Sequence, residues 1–221
     1  MNEVITSILP HAVAVALSPI PIAALILVLL SNRARENSVF YLLGWVIALI
    51  VNVGFFSVAY QILPASGGSK SLAYVLLSLL LGIGLIFLAL KQWQKRPKHG
   101  EEPQTPKWMA EIETFTPLKS FVLAFTLVTI NAKNTIVNIS AGITLGKDST
   151  SLTELITGLT VFTTIGSLTI AVPVIAFLIY GDRLKGELKS LKDWFIYNSA
   201  TILFVLFLIL GASIISKAFN G

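Results

Sequence analysis

FVLAFTLVTINAKNTIVNISAGITL, residues 121–145, is long and apolar enough to cross a membrane, yet it carries Lys133 between two asparagines at its centre. A helix needs about 20 apolar residues to span a ~30 Å hydrocarbon core. A lone ammonium at that depth costs roughly 2.5 to 3.5 kcal/mol by insertion scales, so it needs a partner or a job. Every other Lys or Arg lies in a loop or near the end of an apolar segment.

The whole chain has the same character. Of its 221 residues 55% are hydrophobic and 12% charged, with mean hydropathy +0.82. Soluble domains carry about 25% charge, so the composition predicts a polytopic membrane protein. Short alternating segments of the barrel type are missing, which makes the expected fold all-α. Six spans are expected, at about 4–31, 38–62, 70–91, 118–145, 152–180 and 194–216. The first lacks a basic leader and a small-residue cleavage site, so it is expected to remain as a span. Twelve Lys and Arg fall in the loops after the first, third and fifth spans, against Lys70, Lys147 and Lys217 on the other side. That asymmetry places the basic loops in the cytoplasm and both termini outside an inner (plasma) membrane. The net charge of +5 is then topological, and no nucleic-acid partner is expected.

Residues 93–117 read as a cytoplasmic linker rich in proline and mixed charge, within which KWMAEIETF (107–115) could lie on the membrane surface as a short amphipathic turn. DRLKGELKSLKD (182–193), with leucines at 184, 188 and 191, is expected to be a separate interfacial helix.

Shifting the sequence by 113 or 114 positions overlays the first three spans on the last three, giving repeats 1–92 and 118–221. The interruption Ser18-Pro19-Ile20-Pro21 then meets Asn131-Ala132-Lys133-Asn134, and Gly44 meets Gly158. Three spans per half force the halves into opposite orientations, which is the 3+3 inverted-repeat plan of secondary transporters. Pro19 and Pro21 remove two amide donors and open the first span. One reading makes this a discontinuous helix presenting carbonyls and the Ser18 hydroxyl to a cargo; the other makes it a packing kink. Asn131, Asn134 and Asn138 share a helix face beside Lys133, a donor-rich cationic set that suits phosphate, sulfate or carboxylate. The opposing reading caps Lys133 with carbonyls freed from the first span and uses the asparagines to join helices. His11 is a candidate proton relay or a satisfied structural histidine. Thr160, Thr164 and Ser167 share a face and could line a path.

No Asp or Glu lies deep in any span and no cysteine occurs, which counts against a metal site. With no phosphate loop and no nucleophile–base pattern, neither a cofactor nor an enzymatic activity is expected.

The chain resembles the GAP (peptidoglycolipid-addressing protein) family, also known as sulfolipid-addressing proteins, of the LysE exporter superfamily. The likeness rests on Leu17-Ser18-Pro19-Ile20-Pro21, Ser31-Asn32-Arg33-Ala34-Arg35, Leu43-Gly44-Trp45 and Asn131-x-Lys133-Asn134. Proline often stands between the first Asn and Lys of the last motif in that family; here it is Ala132. The resemblance implies a transporter that exports or flips lipid-linked or amphiphilic molecules. The residues and the resemblance together predict alternating access for an anionic lipid or glycolipid, held at mid-membrane by Lys133, Asn131, Asn134, Asn138 and Ser18, with Pro19 and Pro21 keeping the first span open. The alternatives are a LysE-like exporter of an amino acid or small organic solute, and a non-transporting scaffold of a lipid-export system. Membrane lipids are expected partners, and a homodimer is one assembly open to it.

Overall fold

A computed structural model describes residues 2–62, 72–94 and 111–220. Among the described residues the fold is all-α, with eight α-helices: α1 (Asn2–Ala16), α2 (Pro19–Leu29), α3 (Ala34–Ile62), α4 (Leu72–Gln94), α5 (Pro117–Thr129), α6 (Ala132–Asp148), α7 (Leu152–Tyr180) and α8 (Lys185–Asn220). Two 3-10 turns, Ile112–Thr114 and Gly181–Leu184, precede α5 and α8.

Local chemistry sets most of these boundaries. Ser18 adopts an extended conformation ahead of α2, and Pro19 takes the first helical position, where a missing N–H costs nothing. Thr116 caps α5 through its hydroxyl to Lys119 N, again with proline following. Ser151 accepts from Glu154 N at the start of α7, while the Glu154 carboxylate reaches back to Thr150 N at 2.9 Å. This is a variant of the capping box.

Two helical stretches among the described residues, Ala34–Ile62 (α3) and Leu152–Trp194 (α7 carried through the 3-10 turn into the start of α8), are long and apolar enough to cross a membrane. The pairs α1–α2 and α5–α6 pass the same test together, bent by 52° and 66°. With each bent pair taken as one span, there are up to four candidate spans among the described residues, and the chain is a multi-pass membrane protein. The second bend is the sharper although Ala132, and no proline, stands at it.

The chain divides into two compact units. The first, Met1–Ala65 with Pro106–Lys192, is built around α3, which packs most extensively against α5 and α6 and also touches α2 and α7. Helix α1 lies against α7 and α6. Tyr41, Trp45, Leu49, Phe162 and Ile170 are fully buried in its core. Backbones approach closely at glycines: a Cβ on Gly44 would collide with the Phe121 carbonyl, and one on Gly146 would sit 2.5 Å from Ser57 O. The second unit, Ser66–Thr105 with Asp193–Gly221, joins α4 to the body of α8, with the Trp93 and Phe204 rings 4.8 Å apart.

Two expectations change. Ile112 is fully buried against α2, and Asn37 Nδ2 donates to the Phe115 carbonyl at 2.8 Å, so the described end of the linker packs into the first unit in place of the free amphipathic turn expected there. Residues 95–110 of the linker, and residues 63–71, lie outside the described residues. The separate interfacial helix at 182–193 is also absent: after the turn at Gly181 (φ 58°) and Asp182, helix α8 runs unbroken from Lys185. Leu188 is buried, whereas Leu191 is exposed.

Candidate functional site

The two helix breaks meet each other. In a continuous helix the amides of residues 18–21 would close the carbonyls of residues 14–17; Pro19 and Pro21 have no N–H to give to Val15 O and Leu17 O, and the bend takes Ser18 N and Ile20 N away from Ala14 O and Ala16 O, so carbonyls are stranded at the end of α1. Lys133 Nζ, from the first turn of α6, donates to Ala14 O, to Leu17 O at 3.0 Å and to Ser18 Oγ at 3.4 Å. An ammonium has three N–H donors, and all three are used. Thr169 Oγ1 of α7 supplies the bond to Ala16 O at 2.6 Å. The negative end of the α1 dipole lies at the same place and favours a cation there.

The second break is closed differently. Asn134 Nδ2 donates to Leu127 O at 3.1 Å, Asn138 Nδ2 to Val128 O at 3.2 Å, and Thr135 Oγ1 to Thr129 O at 2.7 Å. The last carbonyls of α5 are thus satisfied by side chains of the helix that follows. Asn131 caps α6, its Oδ1 accepting from Asn134 N. Here lies the reason the bend needs no proline: the carbonyls it frees have polar partners within two turns.

Ser18 Oγ donates to Asn134 Oδ1 at 2.8 Å and joins the two knots into one network. Ser18, Asn134 and Asn138 are buried. Lys133 is part-buried, and among the described residues no carboxylate pairs with it; the ion pair present is the exposed Lys185–Asp182. The residues at the two breaks, Leu17 and Ile130, are 64% and 74% exposed, so the network lies under an apolar surface.

All seven residues singled out for a cargo site therefore sit at the breaks. Ser18 bonds directly to both Lys133 and Asn134. Asn138 caps α5, and its Oδ1 has no partner. Pro21 is buried, its carbonyl accepting from Tyr41 OH at 2.8 Å. His11 lies on α1 with Nδ1 3.2 Å from Ser7 O and Nε2 3.0 Å from Ser140 Oγ. Among the described residues no group of three His, Cys, Asp or Glu could hold a metal ion. The Thr160–Thr164 face is turned outward, and the buried hydroxyls of α7 are instead Thr163 and Ser167. Thr135, Ser140 and Thr169 were not singled out as site residues. Their spacing gives no sign of them, because hydroxyls in membrane helices usually bond to their own turn, as Thr157 and Thr160 do here.

The other motif residues brace the same unit. Trp45 Nε1 donates to Gly166 O at 3.2 Å, Arg35 to Leu178 O at 2.7 Å, and Asn37 to Ser31 Oγ at 2.9 Å. An open hollow of about 480 Å³ at the far end of α1 is lined by Glu3, Thr6, Ser7 and Asp148.

Neither a curated protein nor a solved structure matches the chain. Residues 8–219 match the family described as "Sap, sulfolipid-1-addressing protein". That match takes in both breaks and every residue of the network between them, and the chain belongs to the sulfolipid-1-addressing protein family.

Proposed function

We propose that this protein is a carrier, not an enzyme, that exports or flips an anionic amphiphile across the inner membrane. The observation that carries the reading is a lone ammonium, without an acidic partner among the described residues, held between two helix breaks that face each other. A charge of that kind inside a span marks a substrate path more often than a brace. The family description speaks of sulfolipid, and a sulfated lipid is an anionic amphiphile. In the described state the ammonium is satisfied by α1 carbonyls. The anionic headgroup of the cargo takes their place, with Ser18 and Asn131 beside it, while Asn134 and Asn138 hold the fourth span bent.

A 3+3 inverted repeat of six spans, with the basic loops cytoplasmic, supplies the alternating access. Its support is the reciprocal packing of the first unit: α3 of the first half lies on α5 and α6 of the second, and α7 of the second lies on α1 and α2 of the first. Rocking of the halves about the facing breaks then exposes Lys133 to either side. The exposure of Leu17 and Ile130 favours an amphiphile over a small solute, since apolar chains can rest on them while the headgroup reaches the network.

The test is flip of an NBD-labelled anionic phospholipid in proteoliposomes, read by dithionite quenching. Wild type accelerates flip, and Lys133→Met, verified as folded by its melting curve, lowers the rate at least about tenfold. An unchanged rate in that variant removes the assignment.

A further inference from the structure

We propose that Arg35 is a cytoplasmic latch: its bond to the end of α7 holds the two halves together on that side, and its release lets the carrier open inward. The proposal rests on the carrier reading above for its purpose and its topology, but its test contains no cargo.

The bond joins the halves at one end of the unit. Arg35 lies in the first turn of α3, in the first half, and its guanidinium donates to Leu178 O of α7, in the second half, at 2.7 Å. Ten residues further along α3, roughly 15 Å up the helix, buried Trp45 donates from Nε1 to Gly166 O at 3.2 Å. The helices are therefore antiparallel, pinned at mid-length by an indole and tied at the cytoplasmic end by a cation. At the other end of α3, Gln61 Nε2 reaches Gly146 O at 3.3 Å, a longer bond without charge. There the halves also part around the open hollow, which takes Glu3, Thr6 and Ser7 from α1 and Asp148 from α6.

The chemistry of the tie suits a contact that has to break. Leu178 O is one of the last four carbonyls of α7, which have no acceptor role inside the helix. The turn at Gly181 (φ 58°) gives its N–H to Phe177 O and leaves Leu178 O to a side chain. A guanidinium there also meets the negative end of the α7 dipole. In the first turn of its own helix the same charge is disfavoured, so α7 draws Arg35 outward. Both partners are open to water, which competes for each of them and keeps the bond reversible. Asn37, one turn along α3, makes the opposite kind of contact: its buried amide anchors Phe115 O and Ser31 Oγ.

The chain has no cysteine, so one introduced thiol reports on one place. Val174, fully buried on α7 between the two ties, is the inner probe, and Ser7, on the hollow, is the outer one. In inside-out vesicles, adding Arg35→Ala to Val174→Cys should speed labelling by the impermeant reagent MTSET about fivefold or more. In right-side-out vesicles, adding it to Ser7→Cys should slow labelling about twofold or more, because opening one face closes the other. Arg35→Gln, which keeps an N–H donor without the charge, should fall between. Arg33→Ala removes an equal charge from a side chain with no partner among the described residues and should change neither rate. An unchanged rate at Val174→Cys, an equal rise with Arg33→Ala, or a rise there without a fall at Ser7→Cys overturns the proposal. The last result would mark a loosened fold and not a change of face. A failed latch leaves the effect of Lys133→Met on lipid flip untouched, and a failed flip assay leaves these labelling rates standing.

Discussion

Lys133 and Asn134 are neighbours that hold opposite sides of the site. Lys133 closes the carbonyls of α1, whereas Asn134 binds Leu127 O and receives Ser18. Replacing Asn134 by Ala leaves the part-buried Leu127 carbonyl without its donor and the buried Ser18 hydroxyl without an acceptor. We expect a loss of about 1–3 kcal/mol, read as a lower melting temperature in detergent. Thr169→Val strands only Ala16 O and should cost less, about 1 kcal/mol. Lys133 was legible in the sequence because a charge in an apolar run has few explanations. The work of Asn134, Asn138 and Thr135 was not, because their partners are carbonyls that exist as free groups only once the helix has bent. In this structure Asn134 and Asn138 donate to the protein's own backbone.

Among the elements, the two breaks at residues 18–21 and 131–134 were readable in the sequence, as was α7, expected over 152–180. What escaped were features set by packing. Ile112 is drawn into the core by contacts with α2 that no local pattern announces. Gly142 and Gly146, a small-xxx-small pair, let α6 lie on the backbone of α3 at Val53 and Ser57. Gly44 does the same for α5 at Phe121. Gly44→Ala should therefore force α3 and α5 apart and cost about 1–3 kcal/mol. Gly84→Ala, whose Cβ would meet nothing within 4 Å, is the matched control and should leave the melting temperature unchanged.

At the scale of the molecule, the two halves proposed from the sequence meet through α3 on α5 and α6 and through α7 on α1 and α2. The two units cut across those halves, because long-range contacts define them and sequence order does not. A scaffold acting through its linker and a carrier acting through its spans predict opposite results for deletion of residues 96–109. We expect the deletion to keep most of the lipid-flip rate, and Ile112→Asp to abolish it by expelling the turn that Asn37 helps to secure. Loss of flip in the deletion alone would favour the scaffold.

The two joints are fastened with unequal chemistry. Neutral amides and a hydroxyl hold the bend between α5 and α6, and these do not titrate. A cation holds much of the one between α1 and α2. Alkali should thus slacken one elbow and leave the other stiff, so the two joints answer differently to the same change of medium.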